Sequence, residues 1–191
     1  MTVVSFLKEA GTKGYLTLGI LRDGEKRILT VSEEAFADAG SPLRGEELDE
    51  ETFRFLSEEG ERYAVVLRAL RILSYADNSE RSLTDKLRRA GFSADAAQNA
   101  AEEMVRLGYL NEERQLERLI AAEANGKLSG PRRVCAALAA KGYPAAKIRA
   151  VLRRLTDSGE IDFSENFSRL LQKEHAETEE DIRKIRFRHG Y

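Results

Sequence analysis

Eight basic side chains and no acidic one fall within residues 127–156: Lys127, Arg132, Arg133, Lys141, Lys147, Arg149, Arg153 and Arg154. A cationic run of this kind attracts phosphate or an acidic protein surface, and its ordinary alternative is a solvated helix face. Arg149 and Arg153 stand four apart, so a helix carries them on one side. Ile148, Val151, Leu152 and Leu155 then fall on the other side. Arg132 and Arg133 open the preceding apolar segment and Lys141 closes it. A smaller basic group, Arg81, Lys86, Arg88 and Arg89, precedes this one in the chain.

Residue patterns for bond making are missing. His175 and His189 both lie in a polar C-terminal stretch, and neither pairs with Cys135 as base with nucleophile. One Cys and two scattered His do not make a zinc site of ordinary ligand spacing. No glycine-rich loop ends in Lys-Ser or Lys-Thr, so a phosphate loop is not expected. Glu46, Glu47, Asp49, Glu50 and Glu51 are read as a solvated connection, since nothing rigid holds them at coordinating geometry. Cys135, between Val134 and Ala136, is read as a small buried hydrophobe. We therefore expect a protein that is not an enzyme and that carries no metal or cofactor.

Charge is distributed unevenly. Residues 1–60 hold 7 Lys/Arg against 13 Asp/Glu, whereas residues 61–191 hold 24 against 20. The overall net charge of −2 therefore hides an acidic leader and a basic remainder. No apolar run approaches the roughly 20 residues of a bilayer span, and no secretory signal is visible. A single cysteine fits a reducing cytosol. These features predict a cytoplasmic monomer without membrane contact.

The elements that must carry the basic residues are repeated. Residues 83–111 return 51 positions later as residues 134–162. Leu83, Leu87, Gly91 and Phe92 meet Val134, Leu138, Gly142 and Tyr143. Ala97, Ala100, Ala101 and Met104 meet Ile148, Val151, Leu152 and Leu155. A fixed period near fifty residues means stacked supersecondary units. Each unit reads as three helices, with Ser79 and Ser93 as caps, Gly91 and Gly142 as left-handed terminators, and Gly130-Pro131 opening the helix that holds Arg132. Pro144 is placed in the first turn of the next helix. We expect Leu83, Leu87, Met104, Val134, Leu138 and Leu155 to be buried.

Residues 1–60 differ. Leu16, Leu18 and Ile20 alternate along a strand, Asp23-Gly24 turns it, and residues 27–31 return, with residues 3–7 as a third strand. Ser32 caps a short helix ended by Gly40, and Asp49 caps a helix carrying Phe53 and Leu56. From residue 61 a separate stripe of Tyr63, Val66, Leu67, Leu70 and Leu73 is expected. The division is a β-ribbon and helix leader at 1–60, three-helix repeats at 61–111 and 112–162, and a partial third at 163–191. The fold class is mostly α: tandem three-helix, helix-turn-helix-like repeats in an elongated curved array behind that leader.

The chain resembles the RecX family of bacterial recombination regulators. The likeness lies in Ala69-Leu70-Arg71-Ile72-Leu73-Ser74-Tyr75 leading into Ser79-Glu80-Arg81-Ser82-Leu83, then Lys86-Leu87-Arg88-Arg89-Ala90-Gly91-Phe92. It continues through Leu107-Gly108-Tyr109-Leu110-Asn111-Glu112-Glu113-Arg114, Gly130-Pro131-Arg132-Arg133 and Ala140-Lys141-Gly142-Tyr143. The resemblance implies a modulator of RecA that lodges in the groove of the RecA–DNA filament and restrains its ATPase, strand-exchange and coprotease activities. It makes Arg132, Arg133, Lys141, Lys147, Arg149, Arg153 and Arg154 the expected partner-binding surface, with Arg81, Lys86, Arg88 and Arg89 beside them. The chain departs from the pattern at Gly159-Glu160-Ile161, which loses the aromatic of Gly108-Tyr109-Leu110, and in its incomplete third repeat.

A competing expectation is direct, sequence-independent DNA binding by helix-turn-helix-like units. Sequence reading is disfavoured, because the relevant helix starts, Ser93-Ala94-Asp95-Ala96 and Pro144-Ala145-Ala146-Lys147, are poor in base-reading groups. A hydrolase ranks last.

Overall fold

The computed structural model describes residues 1–191. Three antiparallel strands, β1 (Thr2–Glu9), β2 (Tyr15–Arg22) and β3 (Glu25–Ser32), pair in the order β1-β2-β3. Nine α-helices follow: α1 (Glu33–Asp38), α2 (Glu50–Tyr75), α3 (Glu80–Arg89), α4 (Ala94–Arg106), α5 (Glu112–Ala121), α6 (Pro131–Ala140), α7 (Ala145–Asp157), α8 (Phe163–Lys173) and α9 (Glu179–His189). A π-helical turn, Ala122–Gly126, extends α5. The architecture is mostly helical, with three-helix repeats behind a small sheet. The chain divides into two compact units, Met1–Ser74 with Lys86–Ala100, and Tyr75–Asp85 with Ala101–Tyr191.

In the first unit, alternation along the strands puts Val4, Leu18, Ile20 and Val31 on one face. That face joins Phe36, Leu48, Phe53 and Leu56 in a single core. Asp23 (φ 52) and Gly24 (φ 86) make the tight turn between β2 and β3. Ser32 caps α1 by accepting the Ala35 N–H at 3.0 Å, and Asp49 accepts the Thr52 N–H at 2.7 Å ahead of α2. The expectation of a helix before residue 60 and a separate stripe after it needs correction. One 26-residue helix, α2, runs straight through. Its buried residues are Phe53, Leu56, Gly60, Val65 and Ala69, while Leu67 is 46% exposed. At Gly60 the reason is steric: a Cβ there would stand 3.1 Å from Leu29, so the helix meets the sheet closely at this residue.

The second unit is organised by its repeated helices. Leu116, Ile120, Val134, Leu138, Ile148, Val151, Leu155 and Ile161 form one core, against which Cys135 packs half-buried. Leu83 and Met104 are fully buried as well, and so, in the first unit, is Leu87. Gly142 (φ 90) and Gly190 (φ 79), like Gly91 (φ 99) of the first unit, take the left-handed conformation after a helix, where an L side chain is strained. Pro144 sits at the N-cap of α7 (φ −63, ψ 132), one residue outside the helix, not inside its first turn. The widened π turn is held from α8: Asn166, 3% exposed, donates to the Ala124 carbonyl at 3.2 Å and to Asn125 Oδ1 at 2.8 Å. Leu128, Leu170 and Ile185 make a second small core beneath α8 and α9.

Candidate functional site

Helix α7 carries the central part of the basic stretch, and its register is fixed by what it buries. Ile148, Val151, Leu152 and Leu155 are all at or below 9% exposure, which anchors the helix against α5 and α6. Arg149 and Arg153 consequently point to solvent, and neither makes an ion pair. Lys141 follows α6 and is likewise exposed, while its carbonyl oxygen accepts the Ser79 hydroxyl at 3.0 Å. Arg149 and Arg153 stand on α7 and Lys141 at the end of α6, and none of the three has an ion-pair partner.

The remaining cations of the stretch are engaged within the protein. Lys147 Nζ donates to Glu112 Oε2 at 2.6 Å, and Glu112 Oε1 accepts the Glu80 backbone N–H at 2.9 Å. This hydrogen bond to Glu112 raises the Lys147 ammonium above its usual range. Arg154 pairs with Glu117 and, at 3.5 Å, with Glu113. Lys127 pairs with Glu123 at 2.5 Å. The basic segment has no acid in its own sequence, yet folding sets the acidic first two turns of α5 against one side of α7.

Arg132 and Arg133 occupy the opening of α6, where Gly130 is the N-cap and Pro131 the first helical residue. The Arg132 guanidinium donates to the Tyr191 carbonyl, and the Arg133 guanidinium donates to the Arg188 carbonyl at 3.0 Å. Tyr191 folds back beneath them, its ring 4.7 Å from that of Phe167 and its hydroxyl donating to the Leu128 carbonyl at 3.2 Å. These two arginines therefore tie α9 to α6, although both side chains remain on the surface. Arg81, Arg88 and Arg89 lie exposed on α3, as does Lys86, which has an interaction partner of its own. His189 bonds to Glu174 at 2.9 Å. No cluster of three or more His, Cys, Asp or Glu has metal-holding geometry. No helix is long and apolar enough to cross a membrane.

Comparison with known proteins bears on this arrangement. A family model described as RecX, first three-helix domain, matches residues 67–104. A "Regulatory protein RecX" from Trichlorobacter lovleyi is 37% identical over 111 residues, covering 58% of this chain and 70% of that protein. One from Stenotrophomonas maltophilia is 34% identical over 112 residues, covering 59% and 66%. Among solved structures, a crystal structure of regulatory protein RecX superposes with a TM-score of 0.67 at 17% identity, covering 97% of this chain and 90% of the other. The RecX structure from Lactobacillus salivarius gives 0.56 at 19% identity, covering 68% and 85%. At these identities the structural likeness is one of fold.

Proposed function

The chain belongs to the RecX family of regulatory proteins, and from that premise we propose that it binds the RecA filament on DNA and restrains its ATPase, strand-exchange and coprotease activities. It acts as a binding protein in the cytoplasm, as a monomer, and through that contact regulates DNA repair and the SOS response. The observation that carries the reading is the exposed, unpaired set of Lys141, at the end of α6, and Arg149 and Arg153, on α7, whose other side is buried. Such preorganised cations steer and register an acidic partner more than they add raw affinity.

The engaged cations divide the proposed surface into roles. Arg149, Arg153 and Lys141 make the outward contact. Lys147 and Arg154 hold α7 to α5, and Arg132 and Arg133 hold α9 to α6. Arg81, Lys86, Arg88 and Arg89 form the secondary contact. Direct DNA contact is limited to backbone phosphates, because α4 opens on Ala94-Asp95 and α7 on Ala145-Ala146, which offer no base-reading group.

The test is RecA's DNA-dependent ATPase titrated with this protein, beside a salt series of its binding to DNA alone and to DNA coated with RecA. Inhibition together with weak, steeply salt-dependent binding to bare DNA is expected. Tight binding to bare DNA that RecA does not improve would favour the DNA-binding reading instead.

A further inference from the structure

The sheet of the first unit has a second face, turned away from its core. Strand pairing builds this face from the rows that cross β2 at Thr17, Gly19 and Leu21. Leu21 is 41% and Ile28 63% exposed there, so the face is open. The half-buried Phe6 ring lies on Gly19, where an added Cβ would stand 2.2 Å from it. Lys26 and Lys8 hold their ammonium groups 4.9 and 5.9 Å from the centroid of that one ring. Both lysines are exposed, and neither pairs with a carboxylate. Lys8 belongs to the row on one side of Phe6 and Lys26 to the row on the other. Residues 1–60 hold 13 Asp/Glu against 7 Lys/Arg, yet the strands put no acid on this face. The carboxylate nearest it in the pairing is Glu47, bridged to Val3 at the β1 margin, two strands from Lys26.

A ring with an unpaired cation on either side along the strands has the complementary form of a nucleotide, whose base presents a π-face and carries a phosphate on each side. An acidic peptide needs the cations but not the ring between them. A duplex hides its base faces, so the form is that of a single strand. We propose that this face binds single-stranded nucleic acid without sequence preference. One base stacks on Phe6, the exposed Leu21 and Ile28 side chains meet its neighbour, and the two ammonium groups swing from the ring to the flanking phosphates. The restriction to phosphate contact argued for α4 and α7 concerns the helices; the sheet adds a place for an unpaired base. The inference takes its ligand from the reading above, in which the protein meets DNA, but its test contains no RecA, so the two fail separately.

The measurement is fluorescence anisotropy of a short labelled oligothymidylate, and of a duplex of the same length, titrated with the full chain across a salt series. Melting curves establish that each variant is folded. Phe6→Leu keeps an apolar side chain and removes the ring; it is expected to weaken single-strand binding about tenfold, one lost base stack, and to leave duplex binding unchanged. Lys8→Gln with Lys26→Gln, at exposed positions, is expected to lower the slope of log affinity against log salt by about 1.4, two phosphates on a single strand. This pair carries the test should Phe6→Leu not fold. A folded Phe6→Leu that binds the oligothymidylate as wild type does overturns the proposal, and so does an unchanged slope in the lysine pair. Polyglutamate that binds wild type as tightly as the oligothymidylate, and is lost with the lysine pair, assigns the face to an acidic protein segment and overturns it too. Sheet variants that bind as wild type while the protein still restrains RecA's ATPase defeat this inference and leave the parent reading standing.

Discussion

Gly130 donates its backbone N–H to the carbonyl oxygen of His189 at 2.7 Å, joining the start of α6 to the end of α9 across 59 residues of chain. The same joint occurs one repeat earlier, where the Ser79 hydroxyl, at the start of α3, donates to the carbonyl of Lys141 at 3.0 Å. In each case the acceptor is the residue just before a left-handed glycine, Gly190 or Gly142, and the donor is the residue that opens a helix of the preceding repeat. The 51-residue period of the sequence is thus expressed as a recurring contact between neighbouring repeats.

The joint makes the helix-ending glycines unequal. A Cβ on Gly190 would stand 2.6 Å from the backbone nitrogen of Arg133, whereas one on Gly91 would meet nothing within 4 Å. Gly91→Ala should cost about 1–2 kcal/mol, the strain of a left-handed L residue. Gly190→Ala should cost about 1–3 kcal/mol more, because backbone must move aside. Urea denaturation of the two variants checks this, and equal losses would mean that the α6–α9 joint is loose.

Leu138 is fully buried in the second unit's core. Leu138→Ala should destabilise by about 2–5 kcal/mol. A denaturation midpoint unchanged from wild type would remove α6 from that core.

Tyr143 is 4% exposed and its hydroxyl donates to Gln115 Oε1 at 2.7 Å. Burial first, then the nearby Asp77 and Glu112 carboxylates, push its phenol up from 10.0 to about 12. A raised folded value favours the protonated form in the native state, so its contribution is whole below pH 10 and is lost as pH climbs toward 12. Tyr143→Phe should cost about 1–2 kcal/mol at neutral pH by leaving Gln115 without its partner. It should also flatten the alkaline loss of stability, which melting curves taken across that interval would record.

The elements that read clearly from sequence are those whose signals are local. The left-handed glycines, the serine and aspartate caps and the strand alternation all depend on a few neighbouring residues, and the structure contains each of them. The buried line of α2 was not legible, because it passes through Gly60, whose small size matters only when Leu29 arrives from β3. The roles of Arg132, Arg133, Lys147 and Arg154 were equally hidden. A charged side chain's neighbours in space decide its availability, and here they come from α5 and from residues 188–191, 35–59 positions away at the extremes of Lys147–Glu112 and Arg132–Tyr191. The π turn had no sequence signal apart from Asn125 and Asn166, whose amides close it.

The proposed contact with the RecA filament is made by the unpaired cations Lys141, Arg149 and Arg153. Its direct measurement is inhibition of RecA's DNA-dependent ATPase by the triple variant Lys141→Glu, Arg149→Glu and Arg153→Glu. Each change is at an exposed position and should alter stability by no more than about 0.5 kcal/mol. Glu46→Lys with Glu47→Lys, in the acidic leader, is the control. The triple variant is expected to fold and no longer inhibit, and the control to inhibit as wild type does. A folded triple variant that inhibits normally would contradict it and transfer the contact to Arg81, Lys86, Arg88 and Arg89 on α3.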